Sequence, residues 1–222
     1  MSNIVAKMVV LGDPGVGKTS IVTRYVEKRV HNIPPTVGAS FFTTKVNIKG
    51  LAVELQVWDT AGQERFKAIV PLFYRNATAA IIVFDITARR SFDNMKSWVS
   101  ELKRNSENPI ILSIVGNKSD LSDKREVTRD EGLVYANSVG ASYTECSACN
   151  NQGIDQIFSD VARKLIQISG MVPSYSESDN EENGTMFANA TDLNATDTAV
   201  TETPSWSIGS IAHGQVINKG CC

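Results

Sequence analysis

Residues 11–20 read LGDPGVGKTS: three glycines in six positions, then a lysine and two hydroxyls, directly after the apolar run IVAKMVV at 4–10. A loop this poor in side chains leaves its backbone bare. Glycines let the chain wrap so that its N–H groups, and the first turn of a helix that follows, point at phosphate oxygens. The stretch fits G-x-x-x-x-G-K-[ST] through Gly12, Gly17, Lys18 and Thr19. It lies between a predicted strand and a predicted helix, the context this motif requires. Chance matches in a chain of this length are on the order of one per cent at an average glycine usage of about 7%. In this reading Lys18 neutralises the β and γ phosphates of a nucleotide, and Thr19 places its hydroxyl on Mg²⁺.

Three further stretches extend the reading. WDTAGQ at 58–63 offers Asp59 as a carboxylate for the metal's water shell, Gly62 as a backbone donor able to approach a γ phosphate, and Gln63 as a neutral group that orients a water. GNKSD at 116–120 supplies Asp120, which can accept hydrogen bonds from the N1–H and exocyclic amine of guanine. Adenine cannot offer that pair, and an unpaired carboxylate in the site is costly, so adenine is rejected. Asn117 and Lys118 brace the pocket and flank the base. CSAC at 146–149 follows the next strand and brings Ser147 and the Ala148 backbone N–H toward the guanine carbonyl oxygen.

Apolar runs at Ile4 to Leu11, Ala79 to Phe84 and Ile110 to Val115 are short and rich in Val and Ile, as buried parallel strands are. Helical patterns occupy Thr19 to Glu27, Phe92 to Arg104, Arg129 to Val139 and Ile154 to Ile168. Strands alternating with helices predict a doubly wound α/β sheet. TTKVNIKGLAVELQVWD breaks the alternation with two period-2 segments around Lys49-Gly50, an antiparallel hairpin. The four motif stretches then fall at the carboxyl ends of successive strands, where open α/β sheets bind ligands.

On these motifs the chain resembles the small GTPases of the Ras superfamily. Five segments, VGASF, ELQVW, ERFKAI, FYRNA and IVFDIT, together with a terminal GCC, make it most similar to the Rab family and, within it, to the early-endosomal branch. The resemblance implies a small-GTPase P-loop fold: a six-stranded, mostly parallel sheet with one antiparallel hairpin strand and helices on both faces. It implies slow hydrolysis of GTP to GDP, with Mg²⁺ as cofactor. The nucleotide-binding set becomes Gly12, Asp13, Pro14, Gly15, Val16, Gly17, Lys18, Thr19, Ser20, Thr36, Gly62, Asn117, Lys118, Asp120, Ser147 and Ala148. Metal contacts fall to Thr19, Thr36 and Asp59, and the catalytic role to Gln63. Thr36 is expected to bind only while GTP is present, so that hydrolysis relaxes its loop and the segment after Gly62. Phe41, Trp58 and Phe73 match the family's aromatic triad facing effectors, with Trp58 exposed, although a core role competes for each.

The same resemblance implies effectors, an exchange factor, an activating protein, a dissociation inhibitor and a prenylation escort protein as partners. Cys221 and Cys222 would carry geranylgeranyl groups. Two chains suit the physics, because one lipid anchors marginally and the tail offers no polybasic second signal. The expected location is the cytoplasmic face of intracellular membranes, early endosome included, with a cytosolic pool bound to the dissociation inhibitor.

Composition divides near Gly170. Residues 171–222 hold seven acidic residues and one lysine, net −6, and are rich in Ser, Thr and Asn; the first 170 carry 21 basic and 17 acidic residues, net +4, within a whole of −2. Such a tail cannot bury enough surface to offset its ordering entropy, so the expected organisation is a GTP-binding domain over 1–170 and a disordered acidic tail over 171–222. Its typical reach is roughly 40 Å. No basic stripe points to nucleic acid. The opening MSNIVAKMVV has neither the charged n-region nor the apolar length of a signal peptide or membrane span, which leads us to expect a cytosolic chain. The sequons at Asn183, Asn189 and Asn194 are then a matter of composition, and Cys146 and Cys149 are read as structural.

Two departures from the Rab pattern bear on rate. Pro14 removes a backbone donor and sets a rigid ring near the γ phosphate, which leads us to expect altered activation. Val30 falls where an aromatic normally packs on guanine, which leads us to expect faster nucleotide release, with His31 as the compensating alternative. Together they motivate the alternative to a switch, a nucleotide-locked, hydrolysis-deficient membrane scaffold.

Overall fold

The structure is a computed structural model describing residues 4–28, 34–62, 70–106 and 108–171. Gln63, Val30, His31, the sequons, Cys221, Cys222 and the remainder of the tail lie outside the described residues.

Six strands form one sheet: β1 (Ile4–Leu11), β2 (Ala39–Ile48), β3 (Leu51–Thr60), β4 (Ala79–Asp85), β5 (Ile111–Asn117) and β6 (Ser142–Glu145), in the order β2-β3-β1-β4-β5-β6. β2 and β3 pair antiparallel and every other neighbour pairs parallel. The hairpin turn falls where the sequence places it, with Lys49 at φ 46° and Gly50 at φ 81°. Two successive positive φ values match the right-handed twist of the flanking strands. β4 and β5 are buried at every residue, which is why they read as unbroken apolar runs rather than alternating ones.

Helices cover both faces. On one, α1 (Lys18–Glu27) and α5 (Ile154–Ser169) pack on Ala6, Met8 and Val10 of β1, on Val53, Leu55 and Val57 of β3, and on Val83. On the other, α2 (Val70–Tyr74), α3 (Arg89–Asn105) and α4 (Arg129–Ser138) pack on Val9, Leu11, Ile82, Phe84 and Ile114. Period-2 alternation along β1 thus divides its side chains between two cores. This is the expected α/β fold. α2 is the element the periodicity did not announce, since five residues are too few to display a 3.6-residue repeat.

All the parallel strands run the same way. Their carboxyl ends, Leu11, Thr60, Asp85, Asn117 and Glu145, therefore deliver five loops to one rim.

Candidate functional site

The rim begins with α1. Its N-cap Gly17 stands at φ 96°, with no side-chain cap and no acidic residue in the first turn. Its first N–H groups and the positive end of its dipole are left to the loop before it, which favours an anion there. Gly17 is also sterically required, because a Cβ would lie 2.3 Å from Asn117 Nδ2.

Lys18 is 5% exposed, and its Nζ donates to the carbonyls of Gly12 and Asp13, each at 2.8 Å. Burial lowers its pKa to about 8, against the pull of Asp59 and Asp13. Asp59, wholly buried, has the opposite problem: burial raises its carboxyl pKa despite hydrogen bonding from Thr19 and the nearby Lys18 charge. A buried cation and a buried carboxylate are each disfavoured by desolvation, and bound counter-charges would relieve both.

Thr19 Oγ1 donates to Asp59 Oδ2 at 2.5 Å and lies 2.7 Å from Thr36 Oγ1, so three oxygens from α1, β3 and the loop before β2 converge. Asp59 Oδ1 is buried with no hydrogen-bond partner. A cluster of hard oxygen donors with one acceptor to spare fits a small divalent cation such as Mg²⁺. Thr36 belongs to a loop joined to the end of β3 by an Ala61 N–H bond to Gly38 O, 2.8 Å. A cavity of about 270 Å³ opens over this cluster, lined by Pro14, Gly17, Lys18, Ser20, Thr36 and Gly62 among others.

A second cavity, about 680 Å³, runs from the loop toward α3 and is lined by Asp13, Pro14, Gly15, Val16, Asp85 and Lys118 among others. Pro14 is exposed at the rim of both cavities.

Asn117, 2% exposed, is a bridge: its Nδ2 donates to Val16 O at 2.8 Å, and its Oδ1 accepts from Ala148 N at 3.3 Å and Cys146 Sγ at 3.4 Å. It joins the phosphate loop to the loop after β6. Lys118, in the left-handed region at φ 67°, pairs through Nζ with Asp85 Oδ2 at 2.6 Å. Ser147 Oγ donates to Asp120 Oδ1, holding that exposed carboxylate against the loop after β6. Cys146 is buried and its thiol pKa is pushed up to about 12, so it is inert, whereas Cys149 is exposed.

The aromatic triad is contiguous. The ring centroids of Phe41 and Trp58 are 5.2 Å apart, and those of Trp58 and Phe73 5.7 Å. The expectation of an exposed Trp58 needs correction: it is half-buried between its two neighbours, with Lys7 Nζ 5.4 Å over its ring, and Phe41 is the exposed member at 52%. Trp58 does alternate with Val57, but the face it occupies is covered by Phe73 and the core beside α2.

Three residues of the site escaped sequence reasoning. Asp85 fixes Lys118 and accepts from Thr87; Asn94 Nδ2 of α3 donates to Asp13 Oδ2 at 2.6 Å; Arg24 reaches the carbonyls of Ala148 and Cys149. Asp85 lies inside the quoted segment IVFDIT, yet a carboxylate ending an apolar strand has several explanations. Asn94 and Arg24 sit in ordinary amphipathic helices and carry no local signal.

Comparison with known proteins agrees with the geometry. The Ras family model matches residues 7–167. Human Ras-related protein Rab-31 is 44% identical over 181 residues, which is 81% of this chain and 89% of that protein. Human Rab-22A is 44% identical over 169 residues, 76% and 87% of the two chains, and human Rab-21 is 48% identical over 162 residues, 72% of each.

Proposed function

Because the chain belongs to the Ras family of small GTPases, which bind guanine nucleotide and hydrolyse GTP, and is Rab-like within it, we propose that it is a GTP/GDP switch that recruits effectors in membrane traffic. The observation that carries this reading is the Thr36 hydroxyl 2.7 Å from Thr19 at the Asp59 cluster. A loop is thereby tied to the metal and phosphate end of the site through one side chain, and loss of that tie frees the loop.

In the proposed mechanism the backbone of residues 12–20 and Lys18 hold the β and γ phosphates, with the α1 dipole adding to their pull. Thr19, Thr36 and Asp59 would hold Mg²⁺, which when bound neutralises charge on the phosphate oxygens. Gly62 brings its backbone against Lys18, Asp120 reads the guanine edge, and Gln63 orients the attacking water. Nothing in this set supplies a cation to the γ phosphate beyond Lys18 and the metal, so unaided turnover is slow and an activating protein sets the rate.

We further propose the division into a GTP-binding domain, 1–170, and an acidic tail, 171–222, prenylated at Cys221 and Cys222. Membrane attachment would be through these lipids; among the described residues no helix is long and apolar enough to cross a bilayer. An exchange factor, dissociation inhibitor and escort protein complete the cycle. The resemblance of its motifs to the early-endosomal branch of the Rab family leads us to propose an endosomal membrane as its site.

Single-turnover release of phosphate from γ-labelled GTP with Mg²⁺ tests the switch, alongside GDP dissociation from the same preparation. Slow release is expected in the wild type, and slower release in Gln63→Leu. GTP that stays bound and intact would overturn it in favour of a locked scaffold, with Pro14 the first residue to revert.

A further inference from the structure

α1 starts at the phosphate loop, and its last turn carries Arg24. An arginine there has an ordinary explanation: it complements the negative end of the helix dipole and caps the last carbonyls. The distances decide against that as its main role. Arg24 Nη1 is 3.5 Å from Lys28 O at the end of its own helix, a marginal contact. Its Nε and Nη2 instead lie 2.8 Å from Ala148 O and 3.1 Å from Cys149 O, two successive carbonyls more than 120 residues away in sequence. The flat guanidinium fork suits two adjacent acceptors, and its pair of charge-assisted bonds is stronger than neutral ones.

Those carbonyls belong to the loop expected to read guanine. Its other anchors include Cys146 O, which accepts from Ser119 N, Ser147 N and O, which exchange bonds with Gln152, Ser147 Oγ, which accepts from Asn150 N and donates to Asp120, and Asn117 Oδ1, which accepts from Ala148 N. These tie the loop to the end of β5, to the segment just after it, or to itself. Arg24 is a tie from α1, beside the link that Asn117 makes between this loop and Val16. It rises from a helix that does not move freely, because Tyr25 stacks on Phe158 of α5 with centroids 3.8 Å apart and Lys28 pairs with Asp155 at 3.6 Å. The helix that presents Lys18 and Thr19 at one end thus grips the base-reading loop from the other.

We propose that Arg24 is a positioning residue for guanine recognition: by holding the carbonyls of Ala148 and Cys149 it fixes the Ala148 N–H, which donates to Asn117 Oδ1 at 3.3 Å in this structure and is the donor assigned to the 6-oxo group of the base. The inference rests on the guanine-site reading given above, in which Asp120 separately meets the N1–H and the 2-amino group. The two contacts can be told apart with analogues. 6-Thio-GDP keeps N1–H and the 2-amino group but weakens the acceptor at position 6, whereas inosine diphosphate keeps the 6-oxo group and lacks the 2-amino group.

The test measures affinity and release of GDP, 6-thio-GDP and inosine diphosphate on the full-length chain as wild type, Arg24→Ala and Arg24→Lys. In Arg24→Ala, GDP release is expected to quicken by roughly tenfold, the size of one lost charge-assisted bond. The preference for GDP over 6-thio-GDP should shrink by roughly three- to tenfold, with the preference for GDP over inosine diphosphate held. Arg24→Lys, which can donate to one carbonyl but not as a fork, should fall between, and it serves as the readout should the alanine variant fail to fold. Unchanged ratios, or two ratios that shrink together, would overturn the proposal, since general loosening predicts the latter. A wild type indifferent to the 2-amino group would instead sink the guanine-site reading beneath it.

Discussion

Gly17 answers two demands at once. Its φ of 96° is one that side chains rarely adopt, and the space where a Cβ would go is taken by Asn117 Nδ2 at 2.3 Å. Asn117 cannot yield cheaply, because the same nitrogen donates to Val16 O. Gly17→Ala should therefore cost about 1–3 kcal/mol of local strain and quicken GDP release by roughly fivefold to a hundredfold. A fluorescent-GDP release assay checks it; a variant that releases GDP at the wild-type rate would contradict this account of the loop. Residues such as Gly12, Gly17, Lys18 and Thr19 are legible in sequence because contact with phosphate through backbone demands fixed residue types at fixed spacing. Asp85, Asn94 and Arg24 are not, because a hydrogen bond to a carbonyl or carboxylate can be made by many residues from many places, and the partners that tie these three into the site lie between 33 and 125 positions away.

Among the elements, α4 shows what a helix does when it is not asked to hold an anion. Thr128 Oγ1 accepts from Glu131 N, and Glu131 Oε2 accepts from Thr128 N, a complete capping box, with Asp130 adding charge in the first turn. α1 has none of this, and the contrast marks its N-terminus as reserved for another ligand. Glu131 also accepts from Arg89 of α3 at 2.6 Å, and that bond, with those from Thr128, lowers its pKa from 4.5 to about 2. A carboxyl whose folded pKa is depressed contributes stability that is full above its unfolded value and lost as pH falls toward the folded one. The stability gap between wild type and Glu131→Gln should be widest near neutrality and close between about pH 4.5 and pH 2. Thermal midpoints across that range check it, and a gap independent of pH would show that charge is not what Glu131 contributes. Strands and long helices are readable to within three residues at the ends the sequence analysis gave them, since burial on one or two faces imposes a period, except that β2 starts at Ala39, four residues before the period-2 stretch. The start of α3 at Arg89 was missed by three residues, as its first turn carries exposed Arg89 and Arg90 ahead of the first large apolar residue, Phe92.

At the scale of the whole molecule, the proposed function separates a GTP-binding body from a lipid-bearing tail. Both cores described above are built from residues between Ile4 and Met171, and α5 ends at Gly170 in a left-handed cap at φ 69°. On the proposed division, a chain stopped after Met171 should hydrolyse GTP at a rate within about twofold of the full-length protein. It should also be lost from prenylation assays and from membrane fractions. Turnover that collapses on truncation would mean the tail completes the domain. The proposed division rests on composition, because net charge and apolar content change together at one place. It did not foretell how Trp58 packs, which depends on which helix covers which face. That packing has a mechanical reading. Trp58 and Asp59 are neighbours on β3 whose side chains leave by opposite faces, one into the aromatic triad and the other toward Thr19 and Lys18. Their strand is clamped between β1 and β2, paired on both edges at Trp58 through Val9 and Phe41. A stiff, doubly clamped rod does not bend between adjacent residues. A displacement at the charged end therefore arrives at the aromatic surface undiminished, as the two ends of one axle turn together.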